Sequence, residues 1–479
     1  MTDAIAMLLD DSTHAYSHSS LVQRGTTLAY SALATLGRKT LTGMLSTSGL
    51  QFTDWSAHYR LFERRRVDPS VFFSTTLHRT GTYLDTTTPL VALLDDTLLP
   101  KRGRCVDGTA WWRDPLGPHF QTNLIWGQRF VQCSVALPDS GTLECGPARA
   151  IPVTFAHAPK AKKPGRNATD EQQQAYIAAV KELRISVQGC AQMHALRARM
   201  DADPAHAHRP LFMSVDGSYT NGTVLKNMPE RTTMIGRIRK DAKLCALPSE
   251  QPNGRGRKRT YGETLPTPEQ MRQDERIPWK SVRIHAAGRD FDFDIKSIGP
   301  VRWRAAGGNI TLRLIIVRPL AYRPRKGAHL LYRDPAYLIC TDPNLSDEKI
   351  LQPFVWRWDV EVNFRDEKTL VGVGQAQVRT VNAATLVPQF QVAMYSFLLM
   401  ADRMLRGVTQ RIPRPKWRGD GSEQKKRIPT NELLRILRSE LWGKAMGVSN
   451  FSDFAFMKEH NMKSQKIERA LKHAIIYAS

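Results

Sequence analysis

The sequence has no C-x-x-C pair. Its six cysteines, Cys105, Cys133, Cys145, Cys190, Cys245 and Cys340, stand far apart. That spacing excludes a zinc site of standard pattern, and a chain of 479 residues is too large to depend on a disulfide framework. Reduced, mostly buried thiols in a bacterial, cytoplasmic, nucleoid-associated protein are expected. No apolar run reaches the ~18 residues of a membrane span, so none is expected. The first residues, Met1-Thr2-Asp3-Ala4-Ile5, are acidic, and the apolar stretch after them is too short for a signal peptide. There is no internal repeat. Acidic residues are also scarce: 45 Asp and Glu against 69 Lys and Arg leave a formal net charge of +24. The cations are spread along the whole chain. This favours a long binding track for a polyanion, nucleic acid above all, over a basic tail. With 41% hydrophobic residues the chain can build sizeable cores, which excludes a disordered protein.

The organising stretch runs from Phe354 to Lys368, FVWRWDVEVNFRDEK, without Pro or Gly. Its periodicity predicts one helix. With Arg357 at zero on a wheel of about 100° per residue, Lys368 falls near 20°, Glu361 near 40° and Phe354 near 60°. One carboxylate flanked by two cations suits a divalent metal beside the phosphates of a nucleic acid. Asp359 falls about 200° away on the same wheel.

Two more carboxylates end apolar strands. Pro89-Leu90-Val91-Ala92-Leu93-Leu94 runs into Asp95-Asp96-Thr97, and Pro210-Leu211-Phe212-Met213-Ser214-Val215 runs into Asp216-Gly217-Ser218-Tyr219. Both read as buried strands. Alternation puts Asp95 and Asp96 on opposite faces, so only one should point into a shared site, and the residues alone leave either open. Asp96, Asp216 and Glu361, clustered, would hold two Mg²⁺ or Mn²⁺ ions, hard cations that prefer oxygen.

The remainder of the chain gives a coarse plan. Residues 1–85 read as a helical N-terminal DNA-binding region, and 86–239 as the first part of an α/β core, with a long helix from Asp170 to about Met200. Residues 240–345 read as a β-rich insertion of alternating strands, opened by a cationic loop whose Arg255, Arg257, Lys258 and Arg259 would meet DNA. Residues 346–405 carry the Glu helix, and 406–479 form a helical, basic C-terminal region. Asp290, Asp292 and Asp294 read as a solvated strand face. His206 and His208 sit in a Pro-flanked loop without metal spacing. Trp126 and Trp303 read as core residues.

In these motifs the chain resembles the DDE transposases of bacterial cut-and-paste insertion sequences, in the group with a Tyr-x2-Arg-x3-Glu-x6-Lys signature. Arg357-x3-Glu361-x6-Lys368 matches, with Phe354 in place of the tyrosine. Asp95-Asp96-Thr97 and Asp216-Gly217-Ser218-Tyr219 match the first and second acid motifs, and the resemblance covers about residues 88–370. It implies an RNase H-like core with a β-rich insertion, and metal-dependent cleavage and strand transfer at transposon ends. Asp96 is the ligand by the family pattern, beside Asp216 and Glu361. Arg357 and Lys368, with Phe354, are expected near DNA phosphates. The implied partners are double-stranded DNA, both terminal inverted repeats and target, and a second copy in a synaptic homodimer; no membrane is implied. The rivals are a non-catalytic DNA-binding protein and a nuclease without strand transfer.

Overall fold

The computed structural model describes residues 1–409, 411–412 and 427–445, apart from 115–116, 118–119, 249–258, 324 and 326. Arg255, Arg257 and Lys258, most of the basic loop after Arg411 and everything beyond residue 445 therefore lie outside the described residues. The chain divides into two compact units: Met1–Arg79, Leu98–Gln128 and Asn363–Ser479 in one, Thr80–Thr97 and Arg129–Val362 in the other.

The strands, in chain order, are β1 (Leu90–Pro100), β2 (Ala110–Arg113), β3 (Leu124–Pro138), β4 (Ala148–His157), β5 (Leu211–Val215), β6 (Thr232–Arg237), β7 (Leu244–Cys245), β8 (Lys280–Ala286), β9 (Arg289–Trp303), β10 (Leu312–Val317), β11 (Ala321–Tyr322), β12 (Leu331–Tyr332) and β13 (Ala336–Cys340).

The first unit is mainly helical. Its axis is the helix Val381–Met404, buried at nearly every position from Ala383 to Ala401. A helix apolar all round must sit inside a core. Phe390 meets Phe62 and Phe72 edge-on at 5.4 and 5.8 Å between ring centres, and Phe397 meets Phe72 at 5.7 Å. This is the one described helix long and apolar enough to cross a membrane, and 89% of its most apolar window is buried inside the protein. The helix Thr430–Ala445 docks by Arg438, whose guanidinium donates to the carbonyls of Ala34 and Thr35 at the end of the helix Val22–Ala34. Those carbonyls have no partner inside their own helix.

The second unit is a mixed α/β layer structure. β5 pairs parallel with β1 on one side and β6 on the other. Leu90–Leu94 of β1 and all of β5 are near-continuous apolar runs, buried throughout, the composition of strands covered on both faces. β13, β10 and β9 continue the sheet antiparallel beyond β6. The segment expected as a β-rich insertion thus contributes strands to the same sheet as β1, β5 and β6. β4 pairs antiparallel with β3.

Two helical expectations are corrected. The helix expected from Asp170 to Met200 is two, Asp170–Glu182 and Ile185–Ala202, because Arg184 takes an extended ψ of 140°. Thr169 caps the first with a reciprocal Gln172 contact, the capping box its spacing offers. The organising helix is also not one piece. Asp347–Trp356 gives way to Trp358–Asp366, and then to a π turn, Glu367–Val371. At the join the amide of Val360 reaches back only three residues, to the Arg357 carbonyl at 3.0 Å, so the path tightens there. Pro353, in the last turn of the first piece, has no amide to donate.

Candidate active site

Register builds the site. Leu90 pairs with Leu211 and Leu94 with Val215. The next residues along these parallel strands are Asp95–Asp96 and Asp216. Asp216 follows the end of β5 as expected, but β1 runs on to Pro100 and carries Asp95 and Asp96 in its middle rather than at its end; the register still brings the three carboxylates side by side.

The strand pleat separates the two neighbouring aspartates, and each has its own cation. Asp95 accepts from Arg357 at 2.9 Å. The same guanidinium reaches Glu361, one helical turn on, at 3.6 Å. Arg357 therefore stands between the first strand's acid and the helix acid. Asp96 is held by Arg129 at 3.0 Å, from β3, and by the hydroxyl of Tyr219, which donates at 3.0 Å. Asp216 accepts from the amide of Ser218 at 2.9 Å, which fixes the turn after β5.

Tyr219 is fully buried. Its ring lies where a side chain at position 189 would stand: a Cβ on Gly189, in the helix Ile185–Ala202, would come 2.4 Å from the ring. A glycine there lets the tyrosine pass beneath the helix to Asp96. Gly236 in β6 does the same for Thr220, whose hydroxyl donates to the Asp216 carbonyl at 2.7 Å.

The electrostatics are those of crowded acids. Burial pushes the Asp95 carboxyl up to about 7; Arg357 pulls the other way, and Asp216 and Asp96 add to the rise. Burial raises Asp96 as well, opposed by Arg129 and the Tyr219 hydrogen bond, with Asp216 adding. Glu361 is raised by burial, opposed by Arg357, and again Asp216 adds. Burial, then the charges of Asp96 and Asp95, hold the Tyr219 hydroxyl far above its ordinary value, so it stays a donor. The charge of Asp216 thus adds to the rise of all three others.

Among the described residues no three His, Cys, Asp or Glu side chains converge as the ligands of an ion. The donor chemistry nevertheless fits one. The charged forms of Asp95, Asp96 and Glu361 are disfavoured by burial and by neighbouring acids, and a hard divalent cation would relieve both. The side-chain Nε of Arg357 is buried without a hydrogen-bond partner, so this guanidinium is not fully satisfied where it stands.

The remaining expected residues are distributed as follows. Phe354 is half-buried against the cluster of Ile235, Leu338, Ile350 and Leu351. Lys368 lies on the π turn in the first unit, its ammonium held below the usual lysine range by burial. Arg259 is exposed. Asp290, Asp292 and Asp294 pair with His285, Arg283 and Arg318, as a solvated face would. His206 is buried, its ring 3.3 Å from the Thr80 hydroxyl. Sequence reasoning assigned no role to Arg129 or Tyr219. Arg129 carried no signal, since only folding brings β3 to β1; Tyr219 stood three residues after Asp216, inside a quoted motif.

Acids carried by parallel strands, and a helix acid bridged to one of them by arginine, make a compact candidate site. The chain belongs to the DDE superfamily endonucleases: the model of that family matches residues 14–304, more than half of the chain. The match contains Asp95, Asp96 and Asp216 and ends before Glu361. Comparison with curated proteins gave no match.

Proposed function

We propose that this chain is a cut-and-paste DNA transposase of the group with the Tyr-x2-Arg-x3-Glu-x6-Lys signature, built on an RNase H-like core with a β-rich insertion. The observation that carries the reading is the Arg357 bridge. It joins Asp95 in the middle of β1 to Glu361 on the helix, with Asp216 acting on both. The acids of three separate segments thereby share one site.

Asp216 and Glu361 are the proposed ligands of two Mg²⁺ or Mn²⁺ ions, together with one of the paired aspartates. The sequence pattern chose Asp96. The bridge to Glu361 favours Asp95 for that place, and leaves Asp96 to anchor Arg129 and Tyr219. Divalent ions at such a site supply a nucleophile at neutral pH and stabilise the leaving oxygen of an in-line phosphoryl transfer. The chain's own contributions are separate. Arg357 gives up a carboxylate as the site loads and is then positioned to meet a DNA phosphate by its fork of donors. Tyr219 keeps Asp96 oriented. The substrates are transposon ends, then target DNA, handled by a homodimer because two ends are cut together.

The test uses a labelled duplex bearing the element's own end, paired ends supplied, with Mg²⁺ or with EDTA. Cleavage followed by joining to a target plasmid is expected. Cleavage without joining would make the protein a nuclease only. Binding without cleavage would make it a non-catalytic DNA-binding protein.

A further inference from the structure

The segment between β10 and β13 leaves the large sheet and folds on itself. β11 and β12 form a two-stranded antiparallel ribbon, with Ala321 opposite Tyr332 and Tyr322 opposite Leu331. Residues directly opposite share a face. Tyr322 and Leu331 therefore lie on one side of the ribbon, Ala321 and Tyr332 on the other. Both sides carry an aromatic ring, and both are open: Tyr322, Leu330, Leu331 and Tyr332 are exposed by 38%, 46%, 43% and 65%. A ribbon of two short strands with neither face covered is marginal in water, so a partner that covers it would stabilise it.

Its charge is of one sign. From Ala321 to Arg333 there is no Asp or Glu, while Arg323, Arg325 and Arg333 all lie in that span. Arg323 and Arg325 are exposed at the turn end. Arg333 lies over the Tyr322 ring at 5.2 Å, which stiffens the ribbon. At the base, Arg318 is tied to Asp294 at 3.0 Å, and the Arg333 amide donates to the Leu320 carbonyl at 2.9 Å. The ribbon is thus a stiff cationic projection, apolar on both faces.

We propose that the β11–β12 ribbon inserts into the major groove of duplex DNA. The major groove admits a two-stranded ribbon and displays the base edges on its floor. Tyr322, Leu331 and Tyr332 meet base edges and thymine methyls, and Arg323 and Arg325 meet the phosphates that rim the groove. The inference rests on DNA being the substrate.

Binding is measured without divalent metal, on a mixed-sequence duplex, across a salt series. The full-length wild type is compared with the double variant Arg323→Ala/Arg325→Ala and with a chain in which residues 321–333 are replaced by a short Gly-Ser turn. Circular dichroism checks that each folds, and the double variant, altered only at exposed side chains, covers the case in which the replacement does not. The double variant should flatten the slope of log K against log salt by about 1.8, at roughly 0.9 for each phosphate that is no longer neutralised. The groove-filling ligand methyl green should compete with the wild type more than netropsin, which fills the minor groove. An unchanged slope in the double variant overturns the proposal, and so does competition by netropsin alone. If the wild type binds no duplex at all, the reading of the substrate as DNA falls, and the ribbon's role falls with it.

Discussion

At the scale of single residues, the site is a question of which charges face which. The Arg357–Glu361 spacing was legible because a helix turns once in about 3.6 residues; the pair forms at 3.6 Å. The choice between Asp95 and Asp96 was not legible. Two adjacent strand residues always face opposite ways, and the partners that tell them apart, Arg129 and Arg357, come from segments far off in sequence. We expect Asp95→Ala to lose cleavage at least as fully as Glu361→Ala, and Asp96→Ala to lose less; cleavage surviving Asp95→Ala but lost with Asp96→Ala would return the ligand role to Asp96. The raised Asp95 carboxyl also makes stability depend on pH. Its folded value, about 7, lies above its ordinary 3.8. The folded state therefore binds more protons between those values, so this contribution to stability is complete below about 4 and is lost as pH rises through 7. In EDTA, thermal stability should fall from pH 5 to pH 8 by up to about 2.7 kcal/mol from this group, at 1.36 kcal/mol for each of the roughly two pH units between 5 and 7. Asp95→Asn should flatten that fall. An equally steep fall in the variant would show that Asp95 is not its source.

At the scale of elements, the apolar runs that open β1 and form β5 were legible from composition, and so was the start of the helix Thr169 caps. The long helices were overestimated because periodicity continues across a break. Nothing local marks Leu183–Arg184; the tightening at Arg357 follows a turn that holds Pro353 and Trp356, whose indole donates to the Gly146 carbonyl at 3.0 Å. Glycines carry an element-scale prediction. Gly189→Ala would drive a methyl into the Tyr219 ring, fully buried and with no free space to turn into. Such overpacking costs about 1–3 kcal/mol, so the melting temperature should drop by several degrees. An unchanged melting temperature would mean that the helix Ile185–Ala202 and Tyr219 are not packed as described.

At the scale of the whole molecule, charge and order of motifs carried the reading. The excess of +24 pointed to a polyanion. Two apolar runs each followed by acid, then a helix acid, stand in the order in which the sheet and the helix carry them. What composition could not supply is the sheet's extent, since the pairing of β13 with β6 joins residues about a hundred positions apart. The most direct test of the central claim, that carboxylates from β1, β5 and the helix Trp358–Asp366 form one metal-dependent site, is cleavage of a duplex bearing the element's end, by the wild type and by Glu361→Ala, with Mg²⁺ and with EDTA. We predict cleavage by the wild type in Mg²⁺ only, and a loss in Glu361→Ala beyond the ~10–100-fold typical of groups that merely support a metal's ligands. Cleavage that persists in EDTA, or in Glu361→Ala, would contradict it.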